Sequence, residues 1–467
     1  MMKITVKNLG ALEQAEFTLG ELTILCGCNN TGKTYATYAL FGFLLTWRQI
    51  LAINIPTDKI EQLLNEGVIH IELQEYANQA QQILSQASLA YTQKLPEIFA
   101  SPSDRFKTSK FEVNLDLDII KLTQSFEQTT GSANTQLFSL IKTPESPDLI
   151  VTLLVEKEQI KISKEILKRT IGDVVKDIIF GPLLPRPFIA SAERTGAAIF
   201  RKELNFARNR LVEELGQHHN PINPLVLVSQ VYQDYPLPIE TNVDFTRKLE
   251  NIVKKSSFIT ENYPDILADF ADIIGGEYIV TPNDELYYLP QGKSQKLRLS
   301  LVESSSAVRS LLDLGFYLRH EAQIGDLLMV DEPELNLHPE NQRRVARLFA
   351  RLVNLGIKIF ITTHSDYIIK ELNTLIMLNH DKPYLREIAK EEGYRQEELI
   401  SAQQIKVYIA EEASRIIEGK TGKSRKTKCH TLTPADIDPE MGIEARSFDT
   451  TIETMNRIQE AIVWGGE

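Results

Sequence analysis

The chain has 467 residues, of which 43% are hydrophobic and 24% are charged, and its net charge at pH 7 is −12. This is the composition of an ordinary globular protein, and the length predicts several domains or one domain with insertions. The acidic balance speaks against a surface that binds nucleic acid as a whole, and three cysteines give no disulfide framework. Without a segment as long as a membrane span or a signal-peptide pattern, we expect a cytoplasmic protein that makes no membrane contact.

The N-terminal segment carries the most specific motif. Residues 27–34 read Gly-Cys-Asn-Asn-Thr-Gly-Lys-Thr and match the phosphate-binding loop pattern G-x-x-x-x-G-K-[ST]. A predicted hairpin that turns at 8–10 comes first, an apolar run at 22–26 predicts a buried strand, and residues 35–47 predict a buried helix. A strand, a glycine-containing loop and a helix in this order predict a site for a nucleoside triphosphate.

Each residue type in this loop suits contact with phosphate. Gly27 and Gly32 let backbone N–H groups approach the phosphate oxygens. Lys33 would bring a positive charge to the outer phosphates, and the Thr34 hydroxyl could hold Mg²⁺. The predicted nucleotide-binding residues of the loop are Gly27, Asn29, Asn30, Thr31, Gly32, Lys33 and Thr34.

Residues 51–185 separate this motif from the rest of the predicted site. Helical periodicity predicts helices at 68–87 and 166–179, whereas residues 111–115 and 149–155 favour strands. Because no heptad repeat is sustained, we do not expect a long coiled-coil arm. We expect a compact insertion, largely helical with some strands, that forms a lid or a docking surface.

The chain returns at residues 185–196, where a predicted strand precedes Glu193 and Arg194. Arg194 could pair with a phosphate or with a carboxylate across an interface. It could equally form a buried ion pair with Glu193 or a neighbour. Both interpretations stay open at the level of sequence.

Two segments concentrate positive charge. They are the helix predicted after the return strand, with Arg201, Lys202, Arg208 and Arg210, and the loop 420–428. Runs of charge are usually just solvated, but in an acidic chain these local patches are the candidates for nucleic-acid contact.

A serine-rich segment marks the start of a predicted apolar helix. Ser304, Ser305 and Ser306 combine short hydroxyl side chains with the free N–H groups of a helix start, which is an arrangement that can hold an anion. Taken alone, these residues are more simply interpreted as a helix cap.

Two adjacent carboxylates end the apolar segment 324–332. Asp331 would orient Mg²⁺ and its water shell, and Glu332 would act as the general base that polarises the attacking water. Residues 357–363 predict a second buried strand, which ends at His364. Because open α/β sheets place ligand contacts at the carboxyl ends of neighbouring strands, we expect His364 to lie beside the carboxylates.

The C-terminal part allows two interpretations. Asp436 and Asp438 form an Asp-x-Asp pair, which a second, metal-dependent nuclease site would need. The prolines beside them favour a hairpin loop, and we prefer that interpretation. The other elements predicted here are a helix at 367–372, a strand at 375–378, edge strands at 405–410, 429–432 and 443–448 that complete the sheet, and a closing helix at 450–463.

Together these motifs resemble the SMC-like branch of the ATP-binding-cassette ATPases. More narrowly, they resemble prokaryotic ATPases of the overcoming-lysogenisation-defect type and ATPase subunits of anti-phage systems such as Septu and PARIS. The most specific segments are Asp-Glu-Pro-Glu at 331–334 and Leu-His-Pro at 337–339, joined by the loop 27–34 and by Thr-Thr-His-Ser at 362–365.

The resemblance implies an α/β fold: a P-loop ATPase head of the ATP-binding-cassette type with a mixed sheet and flanking helices. The head would comprise residues 1–50 and 271–467, with the insertion at 51–185 and a return strand and helical subdomain at 186–270. It further implies head-to-head dimers or higher oligomers that enclose ATP and Mg²⁺.

In such a dimer, Ser304–Ser306 of one subunit would reach the γ-phosphate bound by the other, and His364 would sense that phosphate. The signature of the family usually has a glycine where this chain has Ser306 or Ala307. The resemblance favours a regulatory ATPase of an anti-phage system that controls a separate effector, with a nuclease as the leading candidate. The alternative is a DNA-repair or chromosome-associated ATPase that clamps DNA; a transporter subunit fits the compact insertion and the Leu-His-Pro loop less well.

Overall fold

The computed structural model divides the chain into two compact units. The smaller unit comprises Met1–Ile4, Phe43–Lys94 and Phe111–Pro185, and the larger unit comprises Thr5–Gly42, Leu95–Lys110 and Arg186–Glu467. The structure describes residues 2–116, 122–132, 135–144, 146–155, 163–201, 235–292, 297–418, 424–444 and 454–462.

The elements are numbered here in chain order. The strands are β1 (Met2–Leu9), β2 (Leu12–Leu19), β3 (Leu22–Gly27), β4 (Val68–Glu72), β5 (Lys110–Leu115), β6 (Phe126–Ser132), β7 (Thr135–Lys142), β8 (Asp148–Leu153), β9 (Pro187–Ala190), β10 (Gly276–Val280), β11 (Leu286–Pro290), β12 (Leu299–Ser300), β13 (Leu327–Asp331), β14 (Lys358–Thr363), β15 (Ile405–Glu418), β16 (Ser424–Pro434), β17 (Ile437–Asp438) and β18 (Gly442–Ile443). The helices are α1 (Lys33–Ile50), α2 (Thr57–Glu66), α3 (Leu73–Asn78), α4 (Ala80–Ile98), α5 (Lys164–Phe180), α6 (Arg194–Ile199), α7 (Leu237–Arg247), α8 (Leu249–Ile252), α9 (Phe258–Asn262), α10 (Pro264–Ile274), α11 (Ser306–Ser310), α12 (Leu312–Phe316), α13 (Pro339–Asn354), α14 (Asp366–Leu378), α15 (Pro383–Glu391) and α16 (454–462).

The larger unit is built on a six-stranded sheet with the order β16-β15-β3-β14-β13-β9. Strands β15, β3, β14, β13 and β9 run parallel, and β16 pairs antiparallel with β15 at the edge. Every residue of β3 and of β13 is buried, as expected for parallel strands whose two faces are both covered. The predicted mixed sheet with flanking helices is confirmed.

The register of the sheet aligns the carboxyl ends of its three central strands. Asp331 at the end of β13 lies opposite Thr362 of β14, and Thr363 lies opposite Cys26 near the end of β3. Side chains that follow these strands therefore meet at one edge, although the end of β3 at Gly27 is far in sequence from Asp331 and Thr363.

Helix α13 packs one face onto the core, as its periodicity predicts. Val345, Leu348, Phe349 and Leu352 are buried on that face. The helix ends at Asn354, and Gly356 has a φ of +85°, a conformation that favours glycine at a helix end.

The smaller unit contains an antiparallel sheet with the order β4-β8-β7-β6. The helix predicted for 68–87 is wrong for its first five residues, which form β4 and pair with β8. Ile69 and Ile71 are buried while their neighbours are exposed, so an alternating β pattern overrides the helical periodicity that continues from Leu73. The unit has more strand than its sequence indicates, because β6 is rich in polar residues and gives a weak strand signal.

The helix predicted from the apolar stripe at 166–179 is confirmed as α5. Ser163 caps it by accepting a hydrogen bond from the backbone N–H of Ile166. Leu167, Ile171 and Val175 form part of its buried face. This helix gives the smaller unit an apolar core of its own.

Three predictions for the C-terminal part need correction. The strand expected at 375–378 is wrong, because Leu372, Leu375 and Ile376 continue the buried face of α14. Residues 405–410 belong to β15, which is an interior strand of the six-stranded sheet rather than an edge.

The strand expected at 443–448 begins at Gly442 and pairs only with β17, a two-residue strand outside the main sheet. Residues 445–453 lie outside the described part of the chain, and α16 is the described part of the predicted closing helix. No helix among the described residues is long and apolar enough to span a membrane.

Candidate functional site

The loop between β3 and α1 wraps around the Lys33 side chain. Lys33 is 6% exposed, and its Nζ donates hydrogen bonds to the carbonyl oxygens of Gly27 (3.0 Å) and Cys28 (2.7 Å). The Thr31 hydroxyl donates to the same Cys28 carbonyl at 2.8 Å. Asn29, Asn30 and Thr34 are exposed, with Thr34 in the first turn of α1.

The two glycines of the loop are required by its geometry. Gly27 has a φ of +124°, and a Cβ there would lie 2.4 Å from the carbonyl oxygen of Ala410. Gly32 has a φ of +98°, and a Cβ there would lie 2.6 Å from Cγ of Leu12. Any side chain at either position would thus strain the backbone and clash with a neighbouring segment.

Asp331 ends β13 with a buried carboxylate. It is 2% exposed, and its Oδ1 accepts a hydrogen bond from the Thr362 hydroxyl. Its Oδ2 is buried and has no hydrogen-bond partner within the described part of the chain. Burial raises the pKa of Asp331 to about 6.

Glu332 leaves the strand in an uncommon backbone conformation. Its φ of +50° lies in the left-handed region, which costs a non-glycine residue about 1–2 kcal/mol. Its N–H donates to the carbonyl (3.1 Å) and to the hydroxyl (3.0 Å) of Thr362. Strain of this kind is characteristic of functional sites, and here it turns the Glu332 side chain away from the path of the strand.

His364 lies beside the Glu332 carboxylate, with 3.5 Å between His364 Nε2 and Glu332 Oε1. The His364 contact, followed by the positive charges of Lys33 and Arg194, lowers the pKa of Glu332. A carboxylate with a lowered pKa is ionised at neutral pH, so it can accept a proton.

Glu334 connects the carboxylate loop to the histidine strand. Its Oε1 accepts a hydrogen bond from the backbone N–H of His364 (2.6 Å), and its Oε2 accepts one from the Thr363 hydroxyl (3.0 Å). Sequence reasoning used Glu334 only as part of the Asp-Glu-Pro-Glu motif and gave it no role. The sequence signal that could have indicated a role for Glu334 is its position two residues after Glu332.

Electrostatics link the loop to the carboxylates. Burial lowers the pKa of Lys33, and the charges of Glu332 and Asp331 oppose that shift. The charge of one buried ammonium group therefore interacts with two carboxylates at the edge of the sheet. This combination can bind a phosphate chain together with a divalent cation.

The residues present fit a magnesium ion that is shared with phosphate. The partnerless Oδ2 of Asp331 is a hard oxygen ligand, and Thr34 offers an exposed hydroxyl. The described residues contain no cluster of three or more His, Cys, Asp or Glu side chains that could hold a metal by themselves. A protein that provides one or two oxygen ligands suits Mg²⁺, which retains water and binds substrate phosphates.

The family model of the AAA ATPase domain matches residues 1–369, a span that contains the loop, both carboxylates and His364. The chain belongs to the AAA ATPase domain family. No curated protein sequence matches it.

Solved structures of SMC heads are similar to the chain at low identity. An SMC head bound to the C-winged helix domain of ScpA shares 11% identity with a TM-score of 0.33, over 92% of this chain and 97% of that chain. The SMC head domain from Thermotoga maritima shares 9% identity with a TM-score of 0.31, over 93% and 98%. An SMC head with an extended coiled coil, bound to the C-terminal domain of ScpA derived from Pyrococcus furiosus, shares 14% with a TM-score of 0.31, over 98% and 100%. Family membership rests on the AAA ATPase domain match alone.

The three serines of this AAA ATPase domain begin α11. Ser304 is buried and donates to the Leu301 carbonyl at 2.7 Å. Ser305 is the N-cap, accepting a hydrogen bond from the N–H of Val308 at 3.3 Å, and Ser306 is the first helical residue. The described hydrogen bonds of their side chains stay within this short segment, as in a helix cap.

Among the described residues, Arg194 contacts backbone carbonyls in place of the buried ion pair that its sequence context allows, whereas its contact with a phosphate or across an interface stays a prediction. Its guanidinium is 2% exposed and donates only to backbone carbonyls among the described residues. The pair with Glu193 is not formed, because the Glu193 carboxylate accepts a hydrogen bond from the Tyr38 hydroxyl at 3.1 Å. The sequence could not predict these hydrogen bonds, because every residue type has a backbone carbonyl that can accept one.

The predicted basic face on the helix after Arg194 is wrong at the one described position. Arg201 is 6% exposed and donates from Nε to the Thr246 carbonyl at 2.6 Å. Lys202, Arg208 and Arg210 lie outside the described residues, as do residues 420–423 of the other basic segment.

The Asp-x-Asp pair lies in the short hairpin formed by β17 and β18. Asp436 and Asp438 are exposed, and Asp438 Oδ1 accepts the N–H groups of Glu440 (2.7 Å) and Met441 (2.9 Å). Asp438 thus stabilises a turn, in line with the hairpin interpretation.

Proposed function

We propose that this chain binds ATP with Mg²⁺ and hydrolyses it to ADP and phosphate. The observation that carries the proposal is the meeting of Lys33, the Asp331–Glu332 pair and His364 at the carboxyl edge of β3, β13 and β14. Lys33 would neutralise the outer phosphates, aided by the N–H groups of Gly27–Thr34. Thr34 and Asp331 would hold Mg²⁺, which neutralises phosphate charge when bound.

Glu332 is the proposed general base. It is ionised at neutral pH because its pKa is lowered, and the positive charge of the buried Lys33 contributes to that shift. It would accept a proton from the attacking water, while His364 would sense the terminal phosphate and orient the Glu332 carboxylate.

Replacement of Glu332 by glutamine tests this assignment. Glu332→Gln should keep ATP affinity within about twofold and lower the rate of hydrolysis about 100-fold or more, since an amide cannot accept the proton. Glu340→Gln is the matched control, because its carboxylate is exposed in the first turn of α13 and makes surface ion pairs. Unchanged hydrolysis in Glu332→Gln would remove Glu332 from the mechanism.

The same site supports a proposal of head pairing, in which Ser304–Ser306 of one copy contact the nucleotide bound by another. Ser305 and Ser306 are not buried, and α11 presents short hydroxyl side chains at its start. Sizing of Glu332→Gln with and without ATP tests pairing, and Ser305→Arg should abolish it while ATP affinity is kept. A monomer under all conditions would contradict the model.

The biological role that we propose is that of the regulatory ATPase of an anti-phage system, which controls a separate effector such as a nuclease. The resemblance of the motifs to such subunits supports it, as does the turn role of Asp438, which leaves the Asp-x-Asp pair without a catalytic setting.

Co-purification with the product of the neighbouring open reading frame tests this role. A complex that gains Mg²⁺-dependent nuclease activity only with the partner, and loses regulation by ATP in Glu332→Gln, would support it. Direct clamping of DNA by the chain alone, with ATP-dependent retention on circular DNA, would favour the repair alternative.

A further inference from the structure

Arg194 is a fully buried arginine whose guanidinium binds four backbone carbonyls. Nε donates to Ser310 (2.7 Å), Nη1 donates to Ser191 (2.9 Å) and Asp331 (2.6 Å), and Nη2 donates to Glu332 (2.8 Å). No carboxylate in the described part of the chain shares these bonds. Burial of a charge costs free energy unless the charge is hydrogen-bonded. Because the Arg194 guanidinium depends on these carbonyls for its hydrogen bonds, displacement of any one of them is unfavourable.

The four carbonyls belong to three separate segments. Ser191 follows β9, Ser310 ends α11, and Asp331 and Glu332 form the end of β13. Helix α6, which begins with Arg194, also packs against α11. One planar side chain with a fixed fork of donors therefore holds the serine-bearing helix and the carboxylate pair in a defined relation.

Glu332 is the residue most dependent on this arrangement. Its left-handed backbone is held on the N–H side by Thr362 and on the carbonyl side by Arg194. Because the direction of its side chain follows from its φ, loss of the carbonyl contact would let Glu332 relax toward ordinary backbone angles. The carboxylate would then leave its place beside His364.

We infer that Arg194 is a positioning residue that couples the Ser304–Ser306 helix to the backbone of Glu332. A shift of α11, when its serines meet another molecule, would move the Ser310 carbonyl and be transmitted through the guanidinium to Glu332. Conversely, a change in the backbone conformation of Glu332 would shift the Ser304–Ser306 helix. The inference rests on the proposed catalytic role of Glu332, and it gives the serine segment a route to turnover within one chain.

The test compares Arg194→Lys with Tyr278→Phe. Lysine keeps the charge but lacks the planar fork, so it cannot serve all four carbonyls. Tyr278→Phe removes a different anchor of the same helix, the hydroxyl that donates to the Val308 carbonyl. We expect Arg194→Lys to lower kcat about 10-fold or more with ATP affinity within about twofold, and Tyr278→Phe to leave both within about twofold.

Positioning also predicts a non-additive effect. In the Glu332→Gln background, Arg194→Lys should produce no further loss of kcat, because the group that it positions is already disabled. Equal kcat in folded Arg194→Lys and in wild type would overturn the inference. A parallel loss of ATP affinity would also overturn it, since Arg194 would then act as a nucleotide contact.

Hydrogen exchange covers the case in which Arg194→Lys does not fold. In the wild-type protein, ATP with Mg²⁺ should change amide protection in residues 306–310 and 331–334 together. A response in only one of the two segments would overturn the coupling.

Failure of this inference can be told from failure of the proposed function. If the wild-type protein shows no ATPase activity, the proposed function is wrong. If ATPase activity depends on Glu332 but not on Arg194, only this inference is wrong.

Discussion

Two pairs of carboxylates in the larger unit, Asp331–Glu332 and Asp436–Asp438, are alike in composition and opposite in setting. Asp331 is 2% exposed and retains an oxygen without a described partner, the charge of the buried Lys33 acts on both carboxylates, and Glu332 lies beside His364. Asp438 is exposed, and its Oδ1 accepts hydrogen bonds from the N–H groups of its own turn. The chemistry of a carboxylate in this protein is decided by what surrounds it.

The difference follows from strand topology. Parallel strands β3, β14 and β13 bring their carboxyl ends to one edge, so residues from distant parts of the chain surround Asp331. The antiparallel pair β17–β18 is a local hairpin that contacts Asn373 of α14. Its described contacts to Asp438 are the N–H groups of its own turn, and none of them brings a buried lysine to that carboxylate.

The largest expected effect comes from removal of the cation that faces the first pair. Lys33→Ala should lower ATP affinity about 100-fold or more, because each charge-assisted hydrogen bond to phosphate contributes about 1.5–3 kcal/mol. Equilibrium binding of a fluorescent ATP analogue measures this loss.

Lys358→Ala is the matched control for Lys33→Ala. Lys358 is a partly buried lysine whose pKa is also lowered by burial, but it begins β14 at the opposite end of the strand. Its replacement should leave ATP affinity unchanged within about twofold. Equal affinity losses in the two variants would show that general damage to the sheet, and not the phosphate contact, accounts for the result.

Sequence predicted the strand-end setting of the first carboxylate pair and the turn setting of the second for a physical reason. An apolar run before Asp331 and a second one before His364 indicate buried parallel strands, and the prolines near Asp436 indicate a turn. The same reasoning missed β4, where Ile69 and Ile71 alternate as in a strand, while Ile69 also lies four residues before Leu73 and so extends the helical stripe. It also missed the hydrogen bonds of Arg194. Every residue has a backbone carbonyl, so the sequence does not indicate which carbonyls the Arg194 guanidinium contacts in the fold.

A third carboxylate, that of Asp313, is buried and has no described hydrogen bond, unlike those of Asp331 and Asp438. Burial raises its pKa to about 7, while the positive charge of Arg194 opposes the shift. The folded protein thus holds a proton that the unfolded chain, with a pKa of about 3.9, releases between pH 4 and pH 7. The free energy of unfolding should fall as pH rises through this window, by about 4 kcal/mol in total.

Asp313→Asn should remove this pH dependence, so the variant gains stability relative to wild type as pH rises from 5 to 8. Denaturant midpoints at several pH values measure the trend. Asp326→Asn is the contrast, because Asp326 is equally buried but accepts hydrogen bonds from Arg186 and Tyr317. That variant should lose stability throughout, and a constant offset for Asp313→Asn would refute the explanation.

The smallest expected effect concerns the exposed pair itself. Asp436→Asn with Asp438→Asn should leave ATP turnover unchanged within about twofold, because no described contact joins either side chain to Lys33, Asp331 or Glu332. The double variant should lower stability by about 1 kcal/mol at most through the lost turn contacts. Assays of single- and double-stranded DNA and of RNA with Mg²⁺ or Mn²⁺ should show no cleavage by the chain alone. Metal-dependent cleavage that disappears in the double variant, but persists in Glu332→Gln, would reverse the comparison, since the local hairpin would then hold a catalytic metal and the chain would be a self-contained nuclease.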